Sequence, residues 1–133
     1  MSKIEAIDGQ KTILVIDDDP IVLESLKFRL EAWNHKTLAA LSLEQAQSLL
    51  NQNDDHTDFI ISDLRLGAHM DGVQAIANLR AELKAEIPGV ILTGDTSPDR
   101  LKYIESAGLS VLHKPVKADS LAAVLKKTFS KPH

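Results

Sequence analysis

An α/β fold, a five-stranded parallel sheet doubly wound by five helices as (βα)5, is predicted by three observations. Short apolar runs alternate five times with stretches of helical periodicity, and the connections between them are short and polar. Such alternation implies parallel strands joined by right-handed crossover helices on both faces. The third observation is chemical, because four of the apolar runs stop at reactive residues. Ile13 to Ile16 runs into Asp17, Asp18 and Asp19; Phe59 to Ser62 into Asp63; Val90 to Leu92 into Thr93; and Val111 to His113 into Lys114. Ligands of open parallel sheets bind at the carboxyl ends of the strands, so these residues are expected to share one crevice.

Each element has its own justification. Lys11 and Thr12 lead into the first strand, and Asp19 followed by Pro20 is a carboxylate cap with proline in the first turn. The helix they start is expected to reach about Trp33. At about 100° per residue, Val22, Leu26, Leu30 and Trp33 form its inward stripe, while Ile21 and Phe28 lie nearly opposite. His35 to Ala40 reads as a weak strand, and Ser42 with Gln45 three residues later is a capping-box start to a helix through about Gln52. Asn51 to Thr57 is a polar connector.

Asp58 to Asp63 is the third strand. After the loop Leu64 to Gly72, Val73, Ile76, Leu79 and Leu83 recur at helical spacing. Pro88 and Gly89 close that unit and open the next strand. Ser97 is expected to cap a helix with Pro98 at its first position, Leu101 and Ile104 inward, and Gly108 as its stop. The last strand is Leu109 to His113. Asp119 or Ser120 is expected to cap a final helix carrying Leu121, Val124, Leu125 and Phe129, with Lys126, Lys127 and Lys131 near its negative end.

The 133 residues are expected to form one domain over residues 11–130, with a polar lead at 1–10 and a tail at 131–133. A net charge of -4 gives no basic field for nucleic acid, and with no cysteine there are neither disulfides nor thiolate metal sites. No apolar run approaches the ~20 residues that cross a bilayer, and the opening residues are too polar for a signal peptide. The expectation is a cytoplasmic protein without membrane or nucleic-acid contacts.

Asp17 and Asp18 held near Asp63 would raise one another's pKa values without a cation. A hard, hydrated divalent ion meets that need, and Mg²⁺ is the natural candidate. Asp17, Asp18 and Asp63 carry three negative charges, which one Mg²⁺ and Lys114 balance. Carboxylates are covalent nucleophiles toward phosphorus, and Asp63 alone ends a central strand facing the acid pair. An acyl phosphate there would leave a modest negative excess that Thr93 can meet by donating a hydrogen bond.

From Thr12 to about Phe129 the chain resembles a receiver domain of bacterial two-component response regulators. The resemblance implies a flavodoxin-like strand order 2-1-3-4-5, with Asp63 as phosphoacceptor, Thr93 as switch hydroxyl, Lys114 as phosphate-pairing lysine and Pro115 in cis. It places Mg²⁺ on Asp17, Asp18 and Asp63, with Asp18 favoured over Asp17 as direct ligand, and on the backbone carbonyl of Arg65. It further implies a signalling domain that promotes its own phosphorylation and dephosphorylation, and is not a conventional enzyme. Its partner would be a histidine kinase or histidine phosphotransfer protein, and its state a monomer or a weak phosphorylation-dependent dimer. The phrases Leu92 to Pro98 and Leu112 to Pro115 look especially like receivers at the C-terminus of hybrid sensor histidine kinases.

The chain departs from the family pattern in three places. The loop after Asp63 lacks the usual proline and is about one residue longer; Val111 stands where many members have an aromatic residue that rotates on activation; and Arg65 and Asp95, at the positions that tune hydrolysis, could form a lid or stay solvated. His69 and His113 lack ligand spacing to the carboxylates and read as surface residues. Ile21 and Phe28 are either a docking patch for a phosphodonor helix or scattered exposed hydrophobes. The competing functional reading is a small Mg²⁺-dependent phosphatase of the haloacid dehalogenase type, with Asp17 as nucleophile and Asp19 as general acid. It leaves Asp63 without a role. A flavodoxin-like cofactor carrier is disfavoured because three carboxylates would repel a bound phosphate.

Overall fold

The computed structural model describes residues 9–52 and 56–130. Along the chain run β1 (Thr12–Ile16), α1 (Pro20–Ala32), β2 (Lys36–Ala40), α2 (Leu43–Gln52), β3 (Phe59–Asp63), α3 (Gly72–Leu83), β4 (Gly89–Thr93), α4 (Pro98–Ser106), β5 (Ser110–His113) and α5 (Ala118–Phe129). The strands form one sheet in the order β2-β1-β3-β4-β5, and every neighbouring pair is parallel.

Alternation along the strands divides the core into two layers. Ile13, Val15, Phe59, Ile61, Val90 and Leu92 point to the face covered by α1 and α5, where Leu23, Leu26, Leu30, Leu121 and Leu125 meet them. Leu14, Ile16, Ile60 and Ile91 point the other way, onto Ala46, Ile76, Leu79 and Ile104 of α2, α3 and α4. Both faces of β3 and β4 are buried along their full length, as a central parallel strand requires. At about 1.5–3 kcal/mol for each fully buried aliphatic side chain, these layers hold the strand ends where the register puts them.

Local details differ from the sequence expectations where tertiary packing intervenes. Leu23 joins the buried stripe of α1, while Val22 and Trp33 are only half-buried. Leu83 ends α3 39% exposed, and Lys84 turns left-handed immediately after it. Ser97 caps α4 by position but makes no side-chain cap bond; the Asp95 carboxylate accepts from its backbone N–H instead. The cap position of α5 is Lys117, which places Asp119 inside the first turn. Ser42 accepts from the Gln45 N–H, but the Gln45 side chain accepts from Leu41 N–H, one residue before the cap. Lys131 lies outside the described residues.

The loop after Asp63 is a short hairpin. Arg65 and Asp71 face each other as an isolated antiparallel bridge, Leu66 N–H donates to Met70 O at 3.3 Å, and Gly72 N–H donates to Leu64 O at 2.8 Å. Gly67 sits at its tip with φ of 121°, a conformation costly for any side chain. Asp71 then caps α3 through a reciprocal capping box with Gln74.

Candidate functional site

Each reactive residue sits on the last rung of the sheet or one step past it. Asp17 N–H donates to Ala40 O at 3.1 Å, which extends the β1–β2 pairing by one residue and locks Asp17 against the sheet. Leu64 N–H donates to Leu92 O at 2.9 Å, fixing Asp63 between β1 and β4, and Lys114 N–H donates to Thr93 O at 3.0 Å. The chain leaves the sheet after Asp17, so Asp18 is exposed and Asp19 turns to cap α1, its carboxylate accepting from Ile21 N–H at 2.9 Å.

Three carboxylates converge there, with one oxygen each of Asp17, Asp18 and Asp63 mutually within 4.8 Å. Lys114 Nζ lies between two of them, 3.2 Å from Asp63 Oδ1 and 3.4 Å from Asp17 Oδ2. Asp17 is fully buried; its Oδ1 accepts from Asp19 N–H at 2.9 Å. Among the described residues its Oδ2 is met only by the Lys114 ammonium at 3.4 Å, a long contact that Lys114 shares with Asp63. A buried carboxylate oxygen met only by a long, shared contact is under-compensated, and a second cation would complete it.

Burial pushes the Asp17 carboxyl above its ordinary pKa, and the Asp63 charge adds to the effect, against the opposing pull of the Asp19 N–H and Lys114. For Lys114, burial acts to depress the ammonium, but the charges of Asp17 and Asp63 outweigh it and hold the pKa above the ordinary lysine value. One ammonium among three carboxylates leaves two negative charges uncompensated. That deficit and the under-compensated Asp17 oxygen fit one hard divalent cation with oxygen ligands, such as Mg²⁺.

Asp63, Arg65, Thr93, Gly94, Asp95 and Lys114 line an open cleft of about 530 Å³. The Thr93 hydroxyl is engaged within its own loop, accepting from Asp95 N–H at 2.9 Å and donating to Asp95 O at 3.3 Å. Arg65 and Asp95 do not close a lid. Asp95 instead lies 3.6 Å from Arg100 Nε, and hydrogen bonds from Ser97 hold its carboxyl below the ordinary range. His69 and His113 are exposed, Lys114–Pro115 is cis, and Val111 packs into the α2–α3–α4 side of the core.

Sequence reasoning missed two residues that shape this site. Gly72 abuts the Asp63 carbonyl so closely that no side chain fits, and Tyr103 of α4 reaches the Asp71 carboxylate at 2.8 Å. The Asp71–Gln74 spacing is a capping-box signal present in the sequence. Nothing local marks Gly72 or Tyr103, since both matter through contacts made across the fold.

Residues 13–126 match the family model described as the response regulator receiver domain. The transcriptional regulatory protein GlrR of Escherichia coli strain K12 is 34% identical over 110 residues, covering 82% of this chain and 24% of that protein. ComA of Bacillus subtilis strain 168, also a transcriptional regulatory protein, is 33% identical over 104 residues, covering 77% of this chain and 47% of its own length. The chain therefore spans between a quarter and a half of these relatives. Among solved structures, a response regulator receiver domain protein from Clostridium thermocellum superposes with a TM-score of 0.77 at 26% identity, covering 90% of this chain and 94% of that one. The chemotaxis response regulator CheY4 of Vibrio cholerae shares the fold, with a TM-score of 0.76 at 22% identity over 90% of this chain and 99% of its own.

Proposed function

The chain belongs to the response regulator receiver domain family, and from that premise we propose that Asp63 accepts a phosphoryl group from a phosphohistidine on a histidine kinase or histidine phosphotransfer protein. The bond from phosphorus to the imidazole nitrogen breaks as the bond to a carboxylate oxygen of Asp63 forms, giving an acyl phosphate that water later hydrolyses. The observation that carries the reading is the placement of Lys114 between Asp17 and Asp63, with Asp18 completing the carboxylate cluster.

Asp17, Asp18 and Asp63, with the Arg65 backbone carbonyl, are the groups proposed to hold Mg²⁺. A bound Mg²⁺ would supply neutralisation of the charge on the transferring phosphoryl oxygens. Lys114 pairs with the phosphoryl group once it is on Asp63. The Thr93 hydroxyl exchanges its bond to the Asp95 carbonyl for one to a phosphoryl oxygen, and that exchange moves the β4–α4 loop. The half-buried aliphatic Val111 offers no aromatic ring to follow this movement.

The phosphodonor docks on α1. Ile21 and Phe28 are 79% and 78% exposed, and a groove of about 480 Å³ beside Ile21 is walled by Leu26, Pro115 and Val116. Residues 11–130 form the receiver unit, acting in the cytoplasm as a monomer or weak phosphorylation-dependent dimer. No helix among the described residues is long and apolar enough to cross a membrane. Contact between this unit and nucleic acid is not expected from its acidic balance; DNA-binding, transcriptional or kinase output would belong to other parts of a longer protein.

The alternative nucleophile is disfavoured by geometry, because Asp17 is fully buried and the Asp19 carboxylate is engaged as a helix cap. Incubation with Mg²⁺ and acetyl phosphate, followed by intact mass and peptide mapping, tests the assignment. A phosphoryl adduct on Asp63 that is lost in Asp63→Asn is the expected result. An adduct on Asp17, or one retained by Asp63→Asn, would refute it.

A further inference from the structure

A chain of contacts leads from α4 to the edge of the carboxylate cluster. The Tyr103 hydroxyl donates to Asp71 Oδ2 at 2.8 Å, while Asp71 Oδ1 accepts from Gln74 N–H at 2.9 Å. The Asp71 N–H donates to Gln74 Oε1 at 3.0 Å, and the Asp71 backbone faces Arg65 across the hairpin bridge. Two residues before Arg65 is Asp63, and Arg65 itself lines the cleft.

The two ends of this chain differ in how they are held by the core. Ile104, the next residue after Tyr103 and the one buried residue of α4, sits fully in the core, so the phenol projects from the point at which that helix is pinned. The hairpin is held at its ends, where Leu64 and Gly72 are buried, but its middle is not: Arg65, Gly67, Ala68 and His69 are exposed, and Leu66 and Met70 pack only partly against the core. Burial first, and then the bond to Asp71, raise the Tyr103 pKa, so the hydroxyl remains a donor at neutral pH. A hydrogen bond to an ionised carboxylate is stronger than a neutral one, and this one, at the surface, ties the hairpin base to α4 beside its buried Ile104.

We propose that Tyr103 is a positioning residue for phosphoryl transfer: through Asp71 its hydroxyl holds the 64–72 hairpin in the form that presents the Arg65 backbone to the cation beside Asp63. The proposal rests on the reading of Asp63 as a Mg²⁺-dependent phosphoacceptor. Losing the hydroxyl lets the hairpin sample other forms, and apparent cation affinity falls by the fraction of time the competent form is absent. One hydrogen bond of ordinary net strength corresponds to a change of about three- to tenfold.

The test is calorimetric titration of Mg²⁺ into the full chain, compared for wild type, Tyr103→Phe, Asp71→Asn and the double variant. Asparagine keeps the ability to cap α3, so Asp71→Asn weakens chiefly the bond from Tyr103. Tyr103→Phe is expected to raise the Mg²⁺ Kd about three- to tenfold, and by a smaller factor in the Asp71→Asn background. With acetyl phosphate, the half-saturating Mg²⁺ concentration should rise by the same factor, while the rate at saturating Mg²⁺ returns to near the wild-type value. A variant with lower unfolding midpoint but wild-type Mg²⁺ Kd would make Tyr103 merely structural and overturn the proposal. If wild type binds no Mg²⁺ and takes no phosphoryl group on Asp63, the underlying reading falls and the proposal with it. A competent wild type with an unaltered Tyr103→Phe removes the Tyr103 proposal alone.

Discussion

Replacing Gly72 with alanine perturbs Asp63 through one methyl group. A Cβ at this position would lie 2.3 Å from the Asp63 carbonyl oxygen, 2.9 Å from Ser62 Oγ and 3.0 Å from Ile91 Cδ1. Ordinary contact begins near 3.4 Å, so the Asp63 carbonyl and the start of α3 must separate by about an ångström. Neither side yields easily. The carbonyl belongs to a central strand and also accepts from the Ser62 hydroxyl at 3.0 Å, while Gly72 N–H is bonded to Leu64 O. Alanine gains at most about 0.5–1 kcal/mol of helix propensity over glycine, and less in a first turn. Overpacking of a rigid interior costs about 1–3 kcal/mol, so the clash wins and net destabilisation of about 1–3 kcal/mol is expected. For a chain of this size that lowers Tm by roughly 4–12 °C. Urea unfolding followed by the single tryptophan, Trp33, measures it. Gly94→Ala is the control, since nothing lies within 4 Å of its added methyl and its midpoint should stay within about 0.5 kcal/mol of wild type. A Gly72→Ala protein with the wild-type midpoint would show that Asp63 is not held by this close approach.

Four further outcomes follow from particular contacts. The Asp17 pKa is raised in the fold, so its favourable contribution is complete below the unfolded value of 3.8 and is lost as pH rises through the folded value. At neutral pH without divalent cation, Asp17→Asn should therefore be more stable than wild type. Mg²⁺ at ten times its Kd should add about 1.4 kcal/mol to wild type and less to the variant, which thermal melts would show. The buried His35 has its pKa lowered, and its Nδ1 accepts from Lys11 N–H at 3.0 Å. Its contribution is complete above the unfolded value of 6.5 and fades as pH falls through the folded one, so the urea midpoint should drop in mild acid and do so less in His35→Gln. Arg80 donates from Nε to Ile87 O at 2.8 Å and from its guanidinium to Ala107 O at 3.4 Å, joining α3 to the entries of β4 and β5. Arg80→Met should cost about 1–2 kcal/mol in the same unfolding assay. Phe28→Glu should slow transfer from a phosphohistidine donor while leaving acetyl phosphate labelling unchanged; equal rates with the protein donor would remove α1 as the docking face.

Strand and helix identities were readable from the sequence because period-2 and period-3.6 patterns are local, and the two-layer core follows from them. Ile13 and Val15 face α1 and α5 while Leu14 and Ile16 face α2 and α3, which alternation alone requires once the sheet is parallel. The candidate site was readable for the same reason: Asp17, Asp63, Thr93 and Lys114 each follow an apolar run, so any sheet that aligns those runs gathers them. Exposure at element ends was not readable, as Leu83 and the cap of α5 show, because it depends on where the next segment turns.

The amino-acid sequence by itself determined the α/β class, the chemical character of the cleft and the residues that could enter it, since these depend on residue type and short-range order. Only the tertiary structure decided how those residues are engaged. It left Asp17 Oδ2 buried with only a long contact to Lys114, set Lys114 between two carboxylates, turned the Thr93 hydroxyl onto Asp95, and brought Tyr103 to Asp71 across 32 positions of chain. Pairings at such separation carry no local signature. They arise from how the β3–α3 loop and α4 pack beside the sheet, where a shift of about an ångström is enough to make or break a hydrogen bond.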